Sequence, residues 1–159
     1  WYKVHKAVEY YAAYFTVRSE NLDGAIAMQG HQAVRDKMNN IKQKQSVHEA
    51  TDKDEAEFQT LQIVNEMMAR KIEFLPVDIY KSEAKMFKVE DGKIRLPFSS
   101  LPGVGGAAAD SLAETGKHTE YLSIEDMQIK TKVTKAVIET LKDVGVLKDL
   151  PVSSQLSLF

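Results

Sequence analysis

Apolar residues recur at intervals of three and four along most of this chain, and only one stretch interrupts that rhythm. The pattern appears first over residues 4–17, where Val4, Val8, Tyr11 and Phe15 share one side of a helix. Helices of this kind bury their apolar faces by packing against one another. After Arg70 the residues alternate instead, and Asp91-Gly92 lies between two short runs as a strong β-hairpin signal. The chain is therefore predicted to be mainly α with a small β-hairpin element (α+β).

Caps and spacing predict two more helices before Arg70. Asn21 and Asp23 are N-cap candidates for a helix whose seam is formed by Ala27, His31, Val34, Met38 and Ile41. Residues 43–54 are polar and are predicted to form a loop. Thr51 and Asp54 make a capping box for a further helix, whose inward residues are Phe58, Leu61, Val64 and Met68.

The second half of the chain is predicted to return to helices after a linker. Residues 97–100 are that linker, and a subdomain boundary is expected close to it. A short helix over residues 106–114 is expected to stop at Gly116, because glycine commonly follows the end of a helix. Two capped helices follow: Ser123 and Asp126 make a capping box for the first, and Thr134 is the N-cap of the second. The last of them ends at Gly145, which has the position of a C′ glycine.

Composition limits the class of protein. With 159 residues and 43% apolar residues, the chain can form one ordinary domain or two small ones. The absence of cysteine excludes disulfides and thiolate zinc sites and is consistent with a cytoplasmic protein. No apolar run is long enough to span a membrane, and no signal segment opens the chain. Because the chain begins at Trp1, within a helical pattern, we expect it to be the C-terminal piece of a longer protein.

The run Leu101-Pro102-Gly103-Val104-Gly105-Gly106 is the main chemical signal inside the chain. Its glycines formally match a dinucleotide fingerprint, but that site requires a strand directly before the glycines, and none is predicted. A P-loop is excluded, since no Lys-Ser/Thr pair follows. The pattern favours a helix-hairpin-helix turn, whose backbone N–H groups hold a nucleic-acid phosphate without reading sequence. The alternative is a tight helix connection that binds nothing.

A glycine-free copy of that turn is predicted before the last helix. Lys130, Lys132 and Lys135 lie close together there and are candidates for contacts with the DNA backbone. Local contacts must supply any grip on DNA, because the net charge of the chain is −2. With Gly103, Val104, Gly105 and Gly106, these lysines form the predicted backbone-binding set.

No pattern predicts catalysis, a cofactor or a metal in this chain. The four histidines, His5, His31, His48 and His118, lack metal-ligand spacing with one another. His31 is predicted to be a packed or interface histidine, because it lies on an apolar helix face. No pair of carboxylates stands out for two-metal chemistry.

The last five residues, Gln155-Leu156-Ser157-Leu158-Phe159, are uncharged and end on an aromatic side chain. Exposed apolar clusters of this kind mark partner surfaces. The Gln155 amide can set the register of a bound peptide, and Leu158 and Phe159 can anchor it in an apolar pocket. The pattern resembles the short peptide with which bacterial replication proteins bind the sliding clamp. The alternative is a tail whose apolar end folds back on the domain.

Three stretches, in collinear order, resemble bacterial replicative DNA polymerases of the C family, the DNA polymerase III alpha subunits of the PolC type. The first combines Trp1-Tyr2-Lys3-Val4-His5 with residues 9–15 and Arg18. The second runs from Val77-Asp78-Ile79-Tyr80-Lys81-Ser82 through Leu96-Pro97-Phe98 to the glycine turn. The third is residues 153–159. Together they cover essentially the whole chain.

The resemblance implies three regions. Residues 1–75 would be the C-terminal part of the polymerase fingers, in which Lys3, His5 and Arg18 are expected to contact nucleotide or template. Residues 76–150 would be a duplex-DNA-binding region with helix-hairpin-helix turns. Residues 151–159 would be the tail that binds the sliding clamp. One departure affects the fingers, since Lys6-Ala7 replaces an aromatic residue and a proline that are usual in the family.

The resemblance also implies a part in DNA replication. The catalytic palm with its Mg²⁺, and the proofreading exonuclease, would lie upstream, so this chain alone should not polymerise DNA. Expected partners are double-stranded DNA without sequence preference, the clamp and other replisome subunits, and no membrane. The alternative function is a non-enzymatic, clamp-associated DNA-binding or repair adaptor with the same hairpin module.

Overall fold

Helices make up both halves of the molecule, and a small sheet lies between them along the chain. The computed structural model describes the backbone of residues 2–152 and the side chains of residues 7–19 and 21–152. The first half contains helices α1 (Tyr2–Val17), α2 (Gly24–Gln29), α3 (His31–Ser46) and α4 (Asp52–Ala69). The second half contains α5 (Gly106–His118), α6 (Ile124–Thr131) and α7 (Lys135–Asp143). The strands are β1 (Phe74–Leu75), β2 (Lys88–Glu90) and β3 (Lys93–Arg95), and short 3₁₀ helices cover Ser19–Asn21 and Phe98–Ser100.

The predicted second helix is divided in two. Asp23 caps α2 as expected, since its carboxylate accepts hydrogen bonds from the N–H groups of Ala25 and Ile26. The chain turns at Gly30, where φ is +105°, and α3 begins at the next residue. The predicted loop over 43–54 is partly wrong, because α3 continues to Ser46. Residues 43–45 are Gln, Lys and Gln, which are polar but favour helices, so polarity alone placed the boundary too early.

Helix α4 begins with the predicted capping box. The Thr51 hydroxyl accepts from the Asp54 N–H at 3.1 Å, and the Asp54 carboxylate accepts from the Thr51 N–H at 3.1 Å. Leu61 and Val64 are fully buried, whereas Phe58 and Met68 are half-buried. His31 is an interface residue, as predicted, and its Nε2 forms a hydrogen bond of 2.5 Å with Asn65 Oδ1 between α3 and α4.

The predicted hairpin is confirmed, and it belongs to a sheet of three strands in the order β1-β3-β2. Strands β2 and β3 are antiparallel and are joined by Asp91 and Gly92, both with positive φ. Strand β1 pairs with β3 in parallel, with Phe74 opposite Ile94. The sequence did not predict this pairing, because β1 has only two residues and is distant from β3 in the chain.

Residues 97–100 do not form the predicted linker. Pro97 is buried, and the 3₁₀ helix that follows places Phe98 (0% exposed) and Ser100 in the interior. Ser100 Oγ lies so close to Gly24 that an added Cβ there would overlap it. The segment therefore packs against the start of α2, and it is not an exposed boundary between subdomains.

Gly116 does not end α5, as the sequence had predicted. The helix runs through it to His118, and Gly116 is buried. An added Cβ at Gly116 would overlap the Ile79 carbonyl oxygen. This glycine allows α5 to approach the backbone of residues 79–80 closely.

The end of α7 agrees with its prediction. Gly145 has φ of +81°, its N–H donates to the Lys142 carbonyl, and the Val146 N–H donates to the Leu141 carbonyl. These two bonds are those of a Schellman motif.

Candidate nucleic-acid interface

The glycine turn connects the 3₁₀ helix of Phe98–Ser100 to α5, and its apolar residues anchor it. Leu101 and Val104 are buried, so the turn is held from inside, while Pro102, Gly103 and Gly105 are exposed. Gly103 has φ of +90°, a conformation that a residue with a side chain rarely adopts. Gly105 has extended backbone angles, and an added Cβ there would meet no atom within 4 Å. The fold thus requires glycine at 103, whereas at 105 the missing side chain only clears the surface.

The start of α5 is an open set of N–H donors. Gly105 is its N-cap residue and makes no side-chain cap, and the first turn contains no acidic residue. The first N–H groups of a helix have no carbonyl partner within the helix, and the helix dipole adds partial positive charge there. Gly106 and Ala107 are also exposed, so a phosphate oxygen can reach these donors directly.

Lys85 adds a full positive charge beside the turn. An added Cβ at Gly106 would lie 3.6 Å from Lys85 Nζ, which places the ammonium at the start of α5. Lys85 is exposed and forms no ion pair with another residue that the structure describes. The sequence does not predict a role for Lys85, because no local motif links it to the glycines and only the folded chain brings it there.

The predicted second hairpin lies between α6 and α7. Lys132 has a left-handed backbone (φ +61°) and ends α6, and Thr134 caps α7 by accepting from the Val137 N–H. Lys132 and Lys135 are exposed and have no ion-pair partner among the described residues. Lys130 differs from them, since it pairs with Asp126 at 2.9 Å. Two of the three predicted lysines are therefore available to an anion.

Two contacts bring the hairpins together. The Ser111 hydroxyl of α5 donates to the Thr131 carbonyl at the end of α6. A Cβ at Gly103 would lie 3.1 Å from Thr140 Oγ1, so α7 packs against the glycine turn. The arrangement does not suit a dinucleotide site, because a 3₁₀ helix rather than a strand precedes the glycines.

The Val77–Ser82 motif has a structural role in the described chain. The Asp78 carboxylate accepts from the N–H groups of Tyr80 and Lys81 at 2.8 and 3.0 Å. The Ser82 hydroxyl donates to the Leu96 carbonyl at 2.8 Å and accepts from the Asp78 N–H. The Asp78 bonds shape the segment itself, and the Ser82 bond ties it to Leu96, the residue directly after β3.

The remaining predicted site residues are only partly described. Arg18 lies at the end of α1, and its guanidinium carbon is 4.1 Å from the centre of the Tyr14 ring. The side chains of Lys3 and His5, and the predicted clamp motif over residues 155–159, lie outside the described part. Among the described side chains, no three or more metal-ligating residues come together. None of the described helices is long and apolar enough to cross a membrane.

Comparison with known proteins agrees with this geometry. The helix-hairpin-helix motif family matches residues 71–155, which include both turns. Proteins named DNA polymerase III PolC-type are 37% identical in Thermotoga maritima, 41% in Clostridium perfringens and 40% in Halalkalibacterium halodurans. Each alignment covers all of this chain and 11% of the relative. The chain thus spans about a ninth of the length of the curated relatives it matches.

Proposed function

The chain belongs to the helix-hairpin-helix motif family over residues 71–155, and we propose that it holds the backbone of duplex DNA. Along its whole length it matches a region of the PolC-type DNA polymerase III family. Its second role would be to tether a replicative DNA polymerase to the sliding clamp. One observation carries the first part of the proposal. The Lys85 ammonium lies at the exposed, uncapped start of α5, which directly follows the glycine turn.

The chemistry of the exposed start of α5 suits a phosphate of either DNA strand. Backbone N–H groups and an ammonium donate to phosphate oxygens and make no distinction between bases. Lys132 and Lys135, at the second hairpin, supply charge for another phosphate. Only a few charges take part, so binding depends on local contacts. The net charge of the chain, −2, does not prevent binding of this kind.

Gly105→Val tests the turn. A valine at 105 fits the backbone angles, yet its side chain would stand where a phosphate approaches the α5 donors. Loss of charge-assisted hydrogen bonds is expected to weaken binding of a random-sequence duplex by roughly tenfold or more. Fluorescence anisotropy measures the affinity, and circular dichroism checks that the variant is folded. Unchanged duplex affinity in a folded Gly105→Val chain would rule out the turn as the contact.

Lys85→Gln tests the added charge, with Lys148→Gln as a matched control on another exposed lysine. Each phosphate contact adds about 0.9 to the salt slope of binding. We expect Lys85→Gln to reduce the slope by about one contact, and Lys148→Gln to leave it unaltered. Equal slopes in the two variants would contradict the role of Lys85.

Clamp tethering is supported by the pattern of residues 155–159. A tether raises the effective concentration of an enzyme at its substrate, so even a weak peptide contact can increase processivity. The test is titration with purified bacterial sliding clamp of the chain, of a version lacking residues 155–159, and of Leu158→Ala/Phe159→Ala. Binding should vanish in both variants while duplex affinity stays the same. Equal clamp binding by all three would refute the tail assignment.

DNA polymerisation would belong to the whole polymerase and not to this chain. The Mg²⁺ of the polymerase would be held by palm residues outside the 159 residues, where it would supply the charge stabilisation of nucleotidyl transfer. The residues of this chain would act by binding and positioning the duplex.

A further inference from the structure

A small pocket between α1 and α4 is not explained by duplex holding or by clamp tethering. Its volume is about 320 Å³, and it is lined by Ala7, Tyr10, Tyr11, Ile63, Glu66 and Arg70. Tyr10 is 65% exposed, so one aromatic wall of the pocket is open to solvent. A volume of this size is near the lower limit for small-molecule pockets and suits one planar group.

The other walls are held in place by contacts between the two helices. Tyr11 is buried, and its hydroxyl donates to Glu66 Oε1 at 3.1 Å. Glu66 also pairs with Arg70 at 3.2 Å. The Tyr10 and Tyr11 rings meet edge to face, with centroids 5.9 Å apart. Ala7 and Ile63 give the pocket apolar surface, and Arg70 and Glu66, whose side chains are 60% and 50% exposed, supply donors and an acceptor at its rim.

A row of π surfaces continues from the pocket along α1. The centroids of Tyr10 and Tyr14 are 6.4 Å apart, and the Arg18 guanidinium lies over the Tyr14 ring. Aromatic rings and arginine side chains in such a row are the usual platform for stacked, unpaired bases.

We propose that this pocket binds an unpaired base of single-stranded DNA, which stacks on Tyr10 and meets Arg70 and Glu66 with its polar edge. A base matches the pocket better than an aliphatic side chain, because the rim presents a guanidinium and a carboxylate to a planar ligand. The site shares no lining residue with the glycine turn. Its two charges compensate each other, so stacking rather than phosphate attraction supplies the binding.

The position of the base can be mapped directly in the 159-residue chain. The probe is a twelve-nucleotide oligothymidine strand that carries one 5-iododeoxyuridine, which crosslinks to an aromatic ring stacked on it when irradiated. Peptide mapping should place the crosslink on residues 10–14 of α1. The same strand annealed to its complement should give little crosslink there, since its bases are paired.

Affinity variants then separate stacking from other contacts. The measurement uses the unmodified strand and a Gly105→Val background, which suppresses binding at the glycine turn. Tyr10→Leu keeps an apolar helix-forming side chain but removes the π face, and it should weaken binding about tenfold. Tyr10→Phe keeps the ring and should stay within about twofold. Ile129→Ala, at a residue of α6 that is 75% exposed, is the control and should also stay within about twofold.

Three results would overturn the proposal: no binding of the strand, a crosslink located outside α1 and α4, or Tyr10→Leu binding as well as Tyr10→Phe. Equal binding by Tyr10→Leu and Tyr10→Phe would mean that the pocket makes apolar contacts, such as those with a peptide. Because the duplex test at Gly105 is measured separately, failure of the stacking site is distinguishable from failure of the duplex-holding function.

Discussion

Two glycines of α5 have opposite roles. Gly106 lies in the first turn, where an added Cβ would make only ordinary contact with the Lys85 side chain. Gly116 lies near the other end, where a Cβ would overlap the Ile79 carbonyl. The same residue type thus leaves the surface open at one end of the helix and permits close backbone packing at the other.

Gly116→Ala is expected to lower the free energy of unfolding by about 1–3 kcal/mol, because the helix must move away from residues 79–80. Gly106→Ala in the same helix is the control and should be neutral or stabilising by up to about 1 kcal/mol. Urea denaturation of the two variants measures the difference. If Gly116→Ala were as stable as Gly106→Ala, the close approach would be disproved.

For single residues, the sequence predicts the roles that depend on neighbours in the chain. Gly103 was correctly assigned to a tight turn, and Thr51 and Asp23 to caps. The prediction for Gly116 was wrong, and no role was predicted for Lys85. Their partners, Ile79 and Gly106 respectively, are distant from them in sequence. No periodicity within a helix reports a contact of that kind.

Helix α6 shows how one carboxylate stabilises the start of an element. Ser123 caps the helix by accepting from the Asp126 N–H, but the Asp126 carboxylate accepts from the Leu122 N–H at 2.9 Å instead of closing the predicted box. It also pairs with Lys130 one turn later. The bond from Leu122, and then that from Lys130, lower the pKa of Asp126 below its ordinary value of 3.8.

This lowered pKa makes the stability of α6 depend on pH. The contribution of Asp126 is present above pH 3.8, and it is lost as the pH falls through the lower pKa of the folded state. Asp126→Asn should therefore reduce the melting temperature at pH 7 and have a smaller effect at pH 2. Asp110→Asn, at an exposed position of α5, is the control. A reduction of equal size at both pH values would argue against the charge.

Aromatic side chains of the predicted regions 1–75 and 76–150 pack together. The Phe15 ring of α1 lies 5.3 Å from that of Phe74 and 5.7 Å from that of Phe87, centroid to centroid. The Phe87 N–H donates to the Thr16 hydroxyl at 3.0 Å. Buried residues of both halves form one apolar cluster. The two regions predicted to meet near residue 75 therefore share one hydrophobic core.

We expect a single cooperative unfolding transition for residues 7–152, because the core is shared. Phe87→Ala should lower the free energy of unfolding by about 3–5 kcal/mol. Hydrogen exchange should show that α3, α4 and α7 lose protection together. Val47→Ala, at a residue that is 59% exposed, should change stability by less than about 0.5 kcal/mol. Two separate transitions, or loss of protection in one half only, would contradict a shared core.

The sequence alone determined the mainly helical class, most of the caps, the hairpin at Asp91-Gly92, the glycine turn and the resemblance to PolC-type polymerases. Each rests on local bonds or on residues adjacent in the chain. Only the tertiary structure decided the parallel pairing of β1 with β3, the burial of residues 97–100, the position of Lys85 at α5 and the pocket beside Tyr10. These depend on contacts between residues far apart in the chain, whose energies a local pattern does not contain.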